Sequence, residues 1–284
     1  SRDMAPESLD RIADTLGGRD PEMALETGLV DGIAYLDTYE DKLLRESGGK
    51  GKHPEKISLQ KYLRYTRNKR VHKGADEIAV VYAQGEILYG EGGPDYIGQG
   101  KMIKALRSAR EDNDVKAVVL RVNSPGGNAL TSDIIWRELQ LTRKKKPVVV
   151  SLSDVAASGG YYLAVGGDKI LAEPSTITGS IGVFATVPNI SDLSDKIGIN
   201  AEQVGTHKLS MEYSFFEPMR KDFREILRGS IEKTYNTFLQ RVADGRGLSV
   251  SRVDSLARGR VWSGTEALEN GLVDGLGGMP EALD

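Results

Sequence analysis

Pro147-Val148-Val149-Val150-Ser151-Leu152-Ser153-Asp154-Val155-Ala156-Ala157-Ser158-Gly159-Gly160-Tyr161-Tyr162 passes from an apolar, β-branched run to a serine set among alanines and glycines. Pro147 to Leu152 predicts a buried strand, and the small residues after it predict a turn into a helix, with Ser158 at the junction. A helix start carries unpaired N–H groups and the positive end of the helix dipole, so it stabilises negative charge that develops beside it. The same residues also read as a tight turn with serine as a helix cap.

Working outward, Ile78 to Tyr82 predicts a strand that Gly85-Glu86-Ile87 continues or re-pairs. Gly98 to Arg110 predicts an amphipathic helix through Met102, Ile103, Leu106 and Ala109. Ala117 to Val122 is continuously apolar, as in a strand buried on both faces. Asn123 to Gly127 reads as a turn and Leu130 to Thr142 as a helix leading back to the Pro147 strand. Successive β-α-β units of this kind imply parallel strands with right-handed crossovers, so the fold class is α/β. Functional groups in such sheets collect at the carboxyl ends of strands, where both Pro125-Gly126-Gly127 and Ser158-Gly159-Gly160 fall. Further on, Lys169 to Ala172 predicts a short strand, Thr176 to Phe184 a turn and strand, Ala201 to Thr206 a strand, and Phe223 to Ala243 a long amphipathic helix.

The chain also repeats itself. Ala24-Leu25-Glu26-Thr27-Gly28-Leu29-Val30-Asp31-Gly32 returns 243 residues later as Ala267-Leu268-Glu269-Asn270-Gly271-Leu272-Val273-Asp274-Gly275. Upstream, Asp10 to Ala13 aligns with Asp254 to Ala257 after a one-residue gap. A period this long is a duplicated domain and not a solenoid unit. Residues 1–45 therefore read as the tail of a preceding copy, 46–76 as a linker and 77–284 as the main domain. From Lys50 to Lys73 the linker holds nine Lys/Arg against the single acid Glu55. That composition suits a solvated connector, or a contact with a membrane surface or a neighbouring domain.

Composition narrows the function classes. Thirty-eight basic and 41 acidic residues leave a net charge of −3, with no basic excess that would argue for nucleic acid. The absence of cysteine excludes disulfides, thiolate nucleophiles and Cys-ligated metals. With His53, His72 and His207 the only histidines, no metal or cofactor is called for.

Taken together, the two glycine turns suggest acyl transfer. A serine that attacks a peptide bond needs two N–H groups aimed at the developing oxyanion. Gly159, next to Ser158, and Gly126 or Gly127 on the neighbouring strand end would supply them. The motifs Arg121-Val122-Asn123-Ser124-Pro125-Gly126-Gly127, Ala156 to Tyr162, Thr178-Gly179-Ser180-Ile181-Gly182 and Gly259-Arg260-Val261-Trp262-Ser263-Gly264, followed by Gly271 to Asp274, resemble the bacterial signal peptide peptidase A, or protease IV, family. The likeness runs from about Ile78 to the end, and the duplicated tail resembles the long, two-repeat form.

The resemblance implies a ClpP/crotonase-type fold and a Ser/Lys endopeptidase that hydrolyses remnant signal peptides. It places the enzyme in the bacterial cell envelope, membrane-associated, with its catalytic part outside the cytoplasm and assembled as a ring-like homo-oligomer. By the same likeness Ser158 is the nucleophile, Gly127 and Gly159 are the oxyanion donors, and Ser180 positions the lysine. For the base, Lys208 in Gly205-Thr206-His207-Lys208 stands fifty residues after the serine, as in short members of the family. Long members instead imply a lysine from the preceding repeat. A lysine base must lose its proton near neutral pH, so it has to be buried away from acids. Three alternatives remain: a Ser158–His207 peptidase, a half-enzyme incomplete without the missing repeat, and an acyl-thioester enzyme on the same fold.

Overall fold

The computed structural model describes residues 2, 4–15, 17–18, 20–48, 57–59, 61–63, 76–204 and 213–284. The chain divides into two compact units, Ser1–Lys73 and Gly74–Asp284. Most of the basic linker lies outside the described residues.

In the first unit the helices are α1 (Pro6–Asp14), α2 (Pro21–Glu26) and α3 (Leu36–Glu46). Proline occupies the first turn of α1 and α2, where its missing N–H costs nothing. Asp20 caps α2 by accepting from Met23 N at 2.8 Å, and Gly28, at φ 75°, ends the turn that follows.

The second unit is the expected α/β fold. Its strands are β1 (Glu77–Gln84), β2 (Glu86–Ile87), β3 (Tyr96–Ile97), β4 (Val115–Ser124), β5 (Val148–Ala157), β6 (Lys169–Ala172), β7 (Ile177–Gly179), β8 (Val261–Ser263) and β9 (Gly275–Leu276). The helices are α4 (Gln99–Glu111), α5 (Ala129–Arg143), α6 (Gly159–Ala164), α7 (Ser191–Ile197), α8 (Lys221–Arg246), α9 (Val250–Leu256), α10 (Gly264–Glu269) and α11 (Met279–Leu283). The main sheet runs β1-β4-β5-β6-β9, with β7 beside the end of β5 and β8 beside β7. Its pairings are parallel except β7–β8. Helical crossovers make the parallel order possible, and they bury the sheet.

Alternation along the strands divides the core in two. Val118, Leu120 and Val122 of β4 and Val148, Val150 and Leu152 of β5 face Met102 and Leu106 of α4, Ile135 and Leu139 of α5, and Phe238 and Val242 of α8. Val119 and Leu171 face the other way, onto Ala282 and Met279 of α11. Helix α6 is apolar all round and buried throughout, as such a helix must be.

Several expectations are corrected. Strand β4 continues through Asn123 and Ser124, so the turn is confined to Pro125-Gly126-Gly127. Strand β5 continues five residues past Leu152, because new partners on β4 and β7 keep its backbone paired. Gly85, at φ 99°, breaks β1, and the chain re-pairs as the separate β2–β3 sheet. Ala201–Val204 forms no strand, and residues 205 and 206 lie outside the described residues. After β7, Ser180–Ile190 is irregular.

Candidate active site

Ser158 stands where β5 becomes α6, as its sequence context predicts, but its conformation is not that of an ordinary cap. Its φ is 51° and ψ −120°, and its side chain makes no capping hydrogen bond. A positive φ is strained for a residue with a Cβ. Its N–H donates to Gly179 O at 2.9 Å, which extends the β5–β7 pairing by one step and fixes the turn. Ser180 leaves β7 one residue after the pair Ala157↔Gly179, also at positive φ, 48°. Adjacent strands lie about 4.8 Å apart, so the two serines leave the sheet side by side.

The turn after β4 closes against this elbow. A Cβ added to Gly126 would lie 2.8 Å from Ser158 Cβ and 2.7 Å from Gly159 N. A Cβ on Gly159 would lie 2.6 Å from Ser132 Oγ and 3.3 Å from Gly127 N. Only glycine fits either position, and the Gly127 nitrogen lies beside Gly159. Neither N–H donates to a protein acceptor among the described residues.

Ile87, expected only as part of a strand, holds the turn. Its N–H donates to Gly126 O at 2.8 Å, and its carbonyl accepts from Asn128 N at 2.7 Å. Asn128 then caps α5 through Thr131 N at 2.9 Å. The signal available beforehand was Gly85, which frees β2 to leave the main sheet.

These groups line a cleft of about 1160 Å³ that contains Gly126, Gly127, Ser158, Gly159 and Ser180, with Leu88, Val183, Phe184, Ile231, Tyr235 and Phe238 around them. Tyr162, one turn after Ser158, packs on Phe238 at 4.9 Å between ring centroids and donates to Asp133 at 2.6 Å. Burial, and after it that hydrogen bond, push its hydroxyl well above the ordinary tyrosine range. Arg241 of α8 pairs with Asp133 at 3.3 Å and stacks on Trp136 at 3.8 Å, which ties the apolar wall to α5 and α6. Four of the expected site residues, Ser158, Ser180, Gly127 and Gly159, thus share one cleft. Lys208 and His207 lie outside the described residues.

Residues 140–284 match the profile of Peptidase family S49, a span of half the chain that ends with it and contains the serine elbow. The chain belongs to peptidase family S49. It is 41% identical over 274 residues to Protease 4 of Haemophilus influenzae, a match covering 95% of this chain and 44% of that protein. It is 36% identical over 271 residues to the chloroplastic serine protease SPPA of Arabidopsis thaliana, covering 92% of this chain and 40% of the relative. A putative protease of Methanocaldococcus jannaschii is 38% identical over 216 residues, 74% of this chain and 70% of that protein. The chain thus spans less than half the length of the first two S49 relatives. Among the described residues no helix is long and apolar enough to cross a membrane.

Proposed function

We propose that this S49 chain is a serine endopeptidase of the signal peptide peptidase A type, with Ser158 as nucleophile and the Gly127 and Gly159 amides as its oxyanion hole. The observation that carries the reading is the strained Ser158 turn closed against two glycine N–H groups that have no protein acceptor among the described residues. Ser158 Oγ attacks the scissile carbonyl and forms a C–O bond, while its proton passes to a base. The carbonyl oxygen becomes an oxyanion held by the two N–H groups, and the intermediate collapses by expelling the amine, which takes the proton back. Water then hydrolyses the acyl-enzyme by the same route. Ser180 helps to position the base.

Lys208 is our choice of base; a lysine from a preceding repeat and His207 are the alternatives. The apolar walls around Leu88, Phe184, Ile231 and Phe238 suit the apolar segments of remnant signal peptides. Another relative, 38% identical over 183 residues that cover 63% of this chain, is the putative signal peptide peptidase SppA of Enterococcus faecium. We also read residues 1–45 as the tail of a preceding repeat. Membrane-surface placement and ring-like assembly belong to the same proposal.

A fluorophosphonate probe tests it. Labelling confined to Ser158, with peptide cleavage falling at least about a thousandfold in Ser158→Ala, is the expected result. Labelling elsewhere, or cleavage that survives Ser158→Ala, overturns it. Lys208→Ala should abolish cleavage and His207→Ala should spare it; the reverse assigns the base to His207. A wild-type chain that neither labels nor cleaves favours the incomplete half-enzyme.

A further inference from the structure

Between the paired positions Val122↔Leu152 and Ser124↔Ala156, β4 advances two residues and β5 advances four. In that span β5 also exchanges one neighbour for another: its last pair with β6 is Ser151↔Leu171 and its first with β7 is Val155↔Ile177. A strand that bulges and changes partners at one point leaves ladder groups unpaired, and buried backbone groups need partners. Here side chains supply them. Arg121 donates to Leu152 O at 3.0 Å and Thr176 Oγ1 to Ser153 O at 2.7 Å, while Thr178 Oγ1 adds a second donor, at 2.7 Å, to Ala156 O, which the β5–β7 ladder already pairs. The Val155 N–H donates to Asn123 Oδ1 at 3.3 Å. Arg121 also reaches the hydroxyls of Ser151 at 2.7 Å and Ser153 at 3.0 Å. Thr176 and Thr178 are buried, at 1% and 0% exposure.

We propose that Arg121, Asn123, Thr176 and Thr178 are positioning residues that hold the β5 bulge in register and thereby place Ser158 and the Gly159 N–H against Gly127. The inference rests on the reading of Ser158 as nucleophile. Two residues of extended strand span about 6.6 Å. Without the bulge, Ser158 would overshoot the Gly126–Gly127 turn by that distance, about twice the separation of reacting atoms in a productive geometry. The frame also accounts for Arg121 and Asn123 of the Arg121–Gly127 motif, which contribute nothing to the cleft lining.

The test compares Thr178→Val, Thr178→Ser, Asn123→Ala and Asn123→Asp in the full chain. It follows the rate of fluorophosphonate labelling, the probe concentration at half-saturation, and amide hydrogen exchange over residues 153–160. Asn123→Ala, which leaves the Val155 N–H without its partner, should slow maximal labelling about tenfold, the weight of one unsatisfied group, and Thr178→Val, which removes only a second donor to Ala156 O, should slow it about threefold, both with half-saturation unchanged and exchange accelerated. Thr178→Ser and Asn123→Asp should restore both readouts. If Thr178→Val does not fold, Asn123→Ala, at a partly exposed position, carries the comparison. Unchanged exchange, or faster exchange with undiminished labelling, overturns the proposal. If the wild-type chain does not label, as expected of the incomplete half-enzyme, exchange decides the frame alone: acceleration in Thr178→Val and Asn123→Ala that Thr178→Ser and Asn123→Asp reverse upholds it, and no acceleration overturns it.

Discussion

Residues 24–32 and 267–275 carry the same sequence but for Thr27 against Asn270, and the local structures around them match. Helix α2 and helix α10 occupy equivalent positions, capped by Asp20 and Ser263 respectively. Gly28 and Gly271 follow at φ 75° and 76°. Leu29 N donates to Ala24 O at 2.8 Å, and Leu272 N to Ala267 O at 2.7 Å. Arg2 grips Gly28 O and both oxygens of Asp31, just as Arg246 grips Gly271 O and both oxygens of Asp274.

The environments of the two copies differ. Val30 is 36% exposed and Val273 2%. In the second copy β9 adds to β6, the Ile170 N–H donates to Asp274 at 2.7 Å, and the Tyr161 hydroxyl donates to Leu272 O at 2.6 Å. Local sequence writes the turn that follows each helix, and an Arg–Asp clasp closes both; burial comes from the sheet edge that residues 275–276 join.

The largest expected effect separates the copies. Val273→Asp should cost more than about 3 kcal/mol, since a charge would be buried without a partner, whereas Val30→Asp should stay within about 1 kcal/mol. Denaturant unfolding of both variants measures this, and equal losses would break the comparison.

Next comes the clasp. Burial opposes ionisation of Asp274, yet hydrogen bonds from Arg246 and the Ile170 N–H hold its pKa below the usual carboxylate range. A depressed folded pKa gives stability that is in place above the unfolded value, about 3.9, and is lost as pH falls through the folded value. Asp274→Asn should therefore flatten the acid limb of the stability profile. The expected size is on the order of 1 kcal/mol, because the carboxylate is partly solvated. Asp31 is shifted the same way by Arg2, but it is fully exposed, and Asp31→Asn should leave the acid limb in place. Loss of the limb in Asp31→Asn alone would reverse the assignment.

The smallest effect should be shared. Gly28→Ala and Gly271→Ala each force a Cβ into a left-handed turn where it meets nothing within 4 Å, at a cost of about 1 kcal/mol each. Melting shifts that differ between them would mean that the turns feel their surroundings.

The same division applies to the site. β-Branched runs announced β4 and β5, and the small residues after Ala157 announced a break, because strand and turn preferences act over a few residues. The Ser158 cap reading failed for a non-local reason: Gly179 O and the Gly126 turn fix its backbone at positive φ. Strand β8 escaped notice because Val261-Trp262-Ser263 is a strand only by pairing with β7. The overlong β5 escaped because its last residues are held by partners more than twenty positions away.

By itself the sequence determined the parallel α/β order, the serine at a strand end, the glycines beside it and the stretch 24–32 repeated at 267–275, since periodicity, turn chemistry and identity are written along the chain. Tertiary structure alone decided which of the two matching stretches is buried, where β5 bulges and changes partners, and that the Gly126–Gly127 turn packs against Ser158 and Gly159. Those features depend on backbone groups brought together from distant segments, and no local preference encodes them.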